Sequence, residues 1–294
     1  MLAISLPALL LGVSCGVLYS AADYFRKAAP ASCPPETILF YYIGGQLPVL
    51  AAWVLWTGSF GVEPGYLIPG AADVIFGLGA NLLFIVAIRR SPLSLMVPLL
   101  ALVPVVTLIL GGLTLGEWPS FRQTIGIVLI AAGLFALFQA PSAKFGAASA
   151  WRAMRAERGT APMIAVVLLW SATPALDKIC LAYTSAGMHS LIQVGAIWSV
   201  LLVWTLYRRP SSLRIPREAI QPVGGSAVAG ALGYLVQLFA YSVAMVALIE
   251  ILKRTVGLLG SMLLGWLRFR EPLTPAKIMG IVIIAAGLPL VMIG

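Results

Sequence analysis

The sequence predicts an all-α integral membrane protein in which ten transmembrane helices form two inverted five-helix repeats. Three observations predict it. Of the 294 residues, 61% are hydrophobic and 10% charged, against roughly 25% charged in an average soluble domain. The apolar residues fall in runs of about the 20 residues a helical span needs, separated by short Gly, Pro and charge punctuation. An apolar, glycine-bounded motif also recurs once in each half of the chain. Backbone groups in hydrocarbon must be satisfied internally, which leaves helices or a closed barrel. Long apolar runs without polar and apolar alternation exclude the barrel.

The first run, 3 to 23, lacks the basic start of a cleaved signal peptide and reads as a span. Four more follow at 36 to 58, 66 to 88, 92 to 114 and 121 to 139, completing a first repeat over residues 1–140. The stretch 141–160 holds Lys144, Arg152, Arg155, Glu157 and Arg158 and reads as a cytoplasmic connecting loop, with room for a short amphipathic surface helix. The second repeat, 161–294, places spans at 161 to 183, 187 to 207, 222 to 243, 245 to 267 and 274 to 293. Pro98, Pro104 and Pro174 fall inside spans, where proline kinks a helix or frees backbone groups for a ligand.

Assigning alternate loops to alternate faces puts fifteen Lys and Arg residues on one side and only Arg122 and Lys178 on the other. The positive-inside bias then places the rich face in the cytoplasm, both termini outside it, and the protein in an inner (plasma) membrane. The net charge of +9 is thus read as membrane anchoring beside lipid headgroups, with no nucleic acid partner. Cys15, Cys33 and Cys180 have no metal-ligand spacing and His189 is the only histidine, so no metal, cofactor or disulfide framework is expected. The same poverty argues against an enzyme.

The repeat is legible directly. Gly126 to Leu134 recurs as Gly280 to Leu288, matching at eight of nine positions at an offset of 154. Glu117 and Glu271 each precede the motif by nine residues. Near the start of each half, Tyr19-Ser20-Ala21 with Lys27 answers Trp170-Ser171-Ala172 with Lys178, at an offset of 151. Five spans per half is an odd number, so the second copy sits upside down relative to the first, as in secondary transporters whose substrate site lies between the repeats.

With the five-plus-five layout, Leu-Gly-Glu117, Arg-Glu271 and the Gly-rich last span of each half, the chain resembles the drug/metabolite transporter superfamily in its ten-span EamA form. That resemblance implies a central cavity walled mainly by spans one, three, four, six, eight and nine. It also implies rocking that opens the cavity alternately to each side. Leu252-Lys253-Arg254-Thr255 further resembles the Lys-Arg pair of the triose-phosphate and nucleotide-sugar translocator branch, in which the pair and a lysine on span six hold an anionic substrate. Lys178 stands at a comparable place. Glu250, one turn before the pair, departs from that pattern and puts a phosphorylated substrate in doubt.

These readings gather the candidate residues. An ionisable group near the bilayer centre costs a few kcal/mol, so Glu250, Lys253 and Arg254 are expected to face a cavity or a partner. Their i,i+3 and i,i+4 spacings bring them onto neighbouring helix surface, with either a substrate anion or simple charge pairing as the outcome. Glu250 is also the candidate for proton coupling. Tyr19, Asn81, Tyr234, Gln237 and Tyr241 lie in spans the resemblance assigns to the cavity and are candidate substrate contacts or interhelical hydrogen bonds. Lys27 and Lys178, repeat mates near opposite faces, are candidate gates pairing with Asp23 and Asp177, or else end-of-span anchors. The function expected is transport of a small anionic or zwitterionic small-molecule substrate by a monomer or homodimer. A lipid-headgroup flippase or an accessory membrane subunit of the same fold is the alternative.

Overall fold

The computed structural model describes residues 5–30, 33, 35–91, 97–137, 157–208, 213–269 and 275–292. Most of the expected connecting loop, 141–160, lies outside the described residues. The described residues form helices α1 (Leu6–Ala28), α2 (Pro35–Gly44), α3 (Gln46–Thr57), α4 (Leu67–Arg90), α5 (Val103–Leu115) and α6 (Phe121–Leu137) in the first half. The second half holds α7 (Thr160–Cys180), α8 (Ala186–Arg208), α9 (Arg217–Val243), α10 (Val246–Phe269) and α11 (Pro275–Met292).

The apolar runs account for these elements, and punctuation sets their ends. Ser5 caps α1, its hydroxyl accepting from the Ala8 N–H at 3.4 Å, the role small polar residues favour at a helix start. The run expected at 36 to 58 is divided at Gly45 into α2 and α3. A methyl group on Gly45 would sit 2.8 Å from the Ala227 side chain of α9, so the glycine permits close packing there. Within the run expected from 92, Val97–Leu102 form a 3-10 turn ahead of α5, and Pro104 occupies the first turn of α5, where its missing N–H costs nothing.

Six helical stretches among the described residues are long and apolar enough to cross a membrane: Leu6–Arg26, Thr37–Thr57, Pro64–Phe84, Thr160–Cys180, Ala186–Arg208 and Arg217–Val243. Large apolar side chains such as Leu10, Ile75, Leu113, Val203 and Val282 stand exposed on the helices, the surface expected when lipid is the solvent. Helix α10 differs: it is 24 residues long but carries Glu250, Lys253 and Arg254 within its first three turns.

Packing follows a two-fold exchange. Helix α1 packs on α9 and α10, and its repeat mate α7 packs on α4 and α5, the mates of α9 and α10. Mates also pack on each other, α6 with α11, α5 with α10, and α2 and α3 with α8, while α9 packs on α2 and α3 as its mate α4 packs on α8. Individual atoms obey the same exchange. Ser20 donates to the Gly257 carbonyl at 2.9 Å and Ser171 to the Val103 carbonyl at 3.2 Å, and the 154-residue offset carries Val103 onto Gly257. The recurring glycines meet face to face. A methyl group on Gly133 would lie 2.8 Å from the Gly280 carbonyl oxygen and 2.8 Å from Ile284 Cγ1, while one on its mate Gly287 would lie 2.9 Å from the Gly126 oxygen and 2.7 Å from Ile130 Cγ1. Because Gly126 faces Gly287 and Gly133 faces Gly280, α6 and α11 run antiparallel, as inverted repeats require.

Candidate functional site

The charged residues of α10 lie about 6 to 12 Å along the axis from Val246 at the usual helical rise. They are held by α9 and α1. Glu250, 1% exposed, receives the Tyr241 hydroxyl at 2.5 Å, is ion-paired to Lys253, and lies 3.4 Å from Arg254 Nε through its second oxygen. Lys253 also donates to Gln237 Oε1 at 2.9 Å and sits over the Tyr19 ring at 5.6 Å. Tyr19 donates to the same Gln237 oxygen at 3.1 Å. Six of the residues singled out in the sequence therefore form one network: Tyr19, Gln237, Tyr241, Glu250, Lys253 and Arg254.

Electrostatically the network has two cations and one carboxylate. Lys253 is saturated, with a carboxylate, an amide oxygen and an aromatic face around its ammonium. Arg254 is not: its Nε–H makes no hydrogen bond among the described residues, and its side chain remains 24% exposed. A guanidinium offers five N–H donors in a planar fork suited to a carboxylate or phosphate, so Arg254 is where an anion would find donors.

The other candidates lie elsewhere. Asn81 donates to the Gly77 carbonyl of its own helix at 2.7 Å and does not join the network. Tyr234 donates to Asp177 at 3.0 Å instead. Lys178 is ion-paired to Glu117 and donates to the Ala244 carbonyl at 2.8 Å, away from Lys253 and Arg254. The expected pairing of Lys178 with Asp177 is not formed, because adjacent helical residues point about 100° apart. Asp177 bonds to His189 at 2.8 Å, and Asp23 pairs with Arg26 one turn on. The side chain of Lys27 lies outside the described residues.

Glu117 gains its role from local backbone. Gly116 closes α5 in the left-handed region at φ 69°, with the Gly116 and Glu117 N–H groups returning to the Gly112 and Gly111 carbonyls at 3.1 and 3.3 Å. Glycine adopts that conformation without penalty. The turned chain sets Glu117 between α7 and α10: one oxygen takes Lys178 and the other accepts the Val246 N–H at 2.9 Å, the first residue of α10. The Leu-Gly-Glu motif thus ties three helices together at one end of the bundle.

A second buried cluster escaped the sequence reading. Asp73 of α4, Asp177 of α7 and His189 of α8 bring their side-chain N and O atoms within 4.8 Å of one another. Tyr66 and Gln193 complete it: the Tyr66 hydroxyl is 2.9 Å from His189 Nδ1, and Gln193 donates to Tyr66 at 3.4 Å and to the Gly70 carbonyl at 2.9 Å. Both ring nitrogens of His189 are thereby engaged. The available signal was Asp73 itself, a carboxylate inside the run 66 to 88, to which the cost of intramembrane charge applies as it does to Glu250.

Antiparallel five-helix repeats with ionisable residues at their interface define a membrane transporter fold. A family model of the EamA-like transporter family matches residues 6–139 and again 158–293. The chain belongs to that family, and it is a multi-pass membrane transporter of the drug/metabolite superfamily. A crystal structure of a protein 18% identical to it superposes with a TM-score of 0.77, over 97% of this chain and 96% of the other, and shares its fold. No curated protein matches the sequence.

Proposed function

We propose that the protein is a secondary transporter that carries a small anionic or zwitterionic organic metabolite by alternating access, binding the substrate's carboxylate or phosphate at Arg254. The observation that carries this reading is the charge balance: Glu250 is shared between two cations and bonded to Tyr241, and the Arg254 side chain stays 24% exposed beside it. Lys253, Tyr19, Gln237 and Tyr241 hold it in register. The likeness of Lys253-Arg254 to the triose-phosphate and nucleotide-sugar branch supports an anionic substrate, while Glu250 lowers the net charge and favours carboxylates over phosphates. The Lys178–Glu117 pair closes one end of the bundle, and Lys27, the repeat mate of Lys178 in the sequence, is the candidate gate residue of the other. The Lys and Arg bias puts the Lys178 end outside the cytoplasm of an inner membrane, with both termini on that side.

The test is a thermal-shift screen of the purified protein against carboxylates, amino acids and phosphorylated sugars. A ligand present at a hundred times its Kd stabilises the native state by about 2.7 kcal/mol. Carboxylate-bearing hits should raise the melting temperature of the native protein and of Asn81→Ala, and lose that effect in Arg254→Ala. Hits indifferent to Arg254→Ala and Lys253→Ala alike would move the substrate elsewhere.

A further inference from the structure

We propose that Asp73, Asp177 and His189 form a proton-binding site, with one proton held between the two carboxyl groups beside a neutral imidazole. The three residues sit where the ends of α4, α7 and α8 meet, 5%, 3% and 0% exposed. The hydrogen bonds are compatible with a neutral imidazole. The Tyr66 oxygen accepts from Gln193 and has its own proton to give to His189 Nδ1 at 2.9 Å. Nε2 then carries the ring proton and donates to Asp177 Oδ1 at 2.8 Å, and the Tyr234 hydroxyl donates to that same oxygen at 3.0 Å. A single donor at each of these contacts suffices with a neutral ring.

Asp73 has no such donor. Its Oδ2 stands 3.8 Å from His189 Nε2, too far for a hydrogen bond, and a carboxyl oxygen of Asp177 lies within 4.8 Å of it. Two ionised carboxylates have only acceptors between them, so a hydrogen bond across that gap needs a proton on one. Charge leads to the same result. Two carboxylates beside a neutral ring would bury a double negative charge, whereas a shared proton leaves one, solvated by two donors. Among the described residues no neighbouring helix supplies a cation instead. On α7, Lys178 is committed to Glu117 and Ala244, and Cys180 is neutral; on α10, Lys253 and Arg254 face Glu250. Tyr241 of α9, itself bonded to Glu250, and Tyr19 of α1 bring hydroxyls, and Glu63, ahead of Tyr66, is exposed.

The position gives the proton a route to the transport cycle. Tyr234, which bonds Asp177, is one helical turn from Gln237, which bonds Lys253. Loss of the proton would draw donors toward the carboxylates and pull on α9, against which the α10 network rests. That coupling rests on the transporter reading above; the site itself does not. It also assigns the proton to this triad and leaves Glu250, already neutralised by two cations, as a fixed charge.

The experiment compares the purified protein with Asp73→Asn, whose amide keeps the shape of the carboxyl group and cannot ionise. An unfolded aspartate has released its proton above about pH 3.9. The folded protein keeps one, so its folding equilibrium falls about tenfold per pH unit until the triad lets go. The melting temperature of the native protein should therefore fall with rising pH relative to that of Asp73→Asn. The infrared spectrum of the native protein should hold a buried protonated-carboxyl band that Asp73→Asn lacks, a readout that stands even where the variant folds poorly, since the band can be titrated in the native protein alone. Parallel pH profiles with no such band would overturn the proposal. So would a sodium, magnesium or zinc salt that raised the melting temperature of the native protein and not of the variant, because the occupant would then be a metal ion. Neither readout involves substrate, so failure here leaves the Arg254 reading standing, and failure of the ligand screen leaves the triad.

Discussion

Substituting alanine at Gly133 tests the inverted-repeat architecture at the glycine seam between α6 and α11. The added methyl carbon would lie 2.8 Å from the Gly280 oxygen, 2.8 Å from Ile284 Cγ1 and 3.0 Å from Ile284 N. Carbon to oxygen contacts settle near 3.3–3.6 Å, so α6 and α11 must part by roughly 0.5 Å, because two of the three obstacles are backbone and cannot rotate away. A gap of that size forfeits about a quarter of the dispersion energy along the seam, and overpacking of this kind costs about 1–3 kcal/mol. Alanine's better helix propensity returns about 0.5–1 kcal/mol, leaving a net loss of about 1–2 kcal/mol. Gly287→Ala meets the same three kinds of atom at 2.9, 2.7 and 3.2 Å and should cost the same. The double variant should cost less than the sum, since the helices part only once. Gly224→Ala, with nothing within 4 Å of the added carbon, is the control and should be neutral or stabilising. Thermal or denaturant unfolding in detergent measures all four. If Gly133→Ala were as stable as Gly224→Ala, the antiparallel glycine seam would not exist.

The interhelical serines should behave as mates too. Ser20→Ala and Ser171→Ala each remove one hydrogen bond to a carbonyl of the helix opposite, and each should lower unfolding free energy by about 0.6 kcal/mol, with 1.7 as a ceiling; a large effect at one and none at the other would break the equivalence. For the Lys178–Glu117 tie, Lys178→Met and Glu117→Gln should each destabilise the protein, and the double variant should be no worse than Glu117→Gln alone. A double-mutant cycle with coupling below about 0.5 kcal/mol would remove Lys178 as its partner.

Much of this was legible in the sequence, for reasons that differ by feature. Apolar runs fix where helices lie because lipid allows no other backbone solution, and the Gly126 and Gly280 motifs announce their pairing because only glycine tolerates such an approach. The break at Gly45 and the 3-10 turn at Val97–Leu102 were not legible, since hydropathy is blind to whether an apolar run stays α-helical. Within the site, the i,i+3 and i,i+4 spacing of Glu250, Lys253 and Arg254 was enough to foresee their ion pairs. The partners of Tyr234 and Lys178 were not foreseeable, because they come from helices 57 and 61 residues away in the chain. His189 looked isolated for the same reason: its neighbours Asp73 and Tyr66 are brought to it only when α4 packs beside α7 and α8.

Symmetry then separates scaffold from chemistry. Ser20 with Ser171, Gly133 with Gly287, and the α1–α9 and α7–α4 packings are each preserved under exchange of the repeats, and none of them carries charge. The charged groups of the α10 network and of the triad break it, whereas Lys178 and Glu117 keep like-charged mates in Lys27 and Glu271. The offset that maps Ser20 to Ser171 maps Arg26 to Asp177, reversing the sign, and the one that maps Val103 to Gly257 maps the apolar Met96, Leu99 and Leu100 to Glu250, Lys253 and Arg254. Under the proposed alternating access, a two-fold scaffold would let the bundle reach two states related by that axis at nearly equal energy. The proposed substrate and proton sites each need a definite set of donors, and each is written into residues that its repeat mate lacks. The charged network on α10 and the triad between α4, α7 and α8 share α9 through Gln237, Tyr241 and Tyr234. In the proposal, that helix is the element through which occupancy of one site would reach the other.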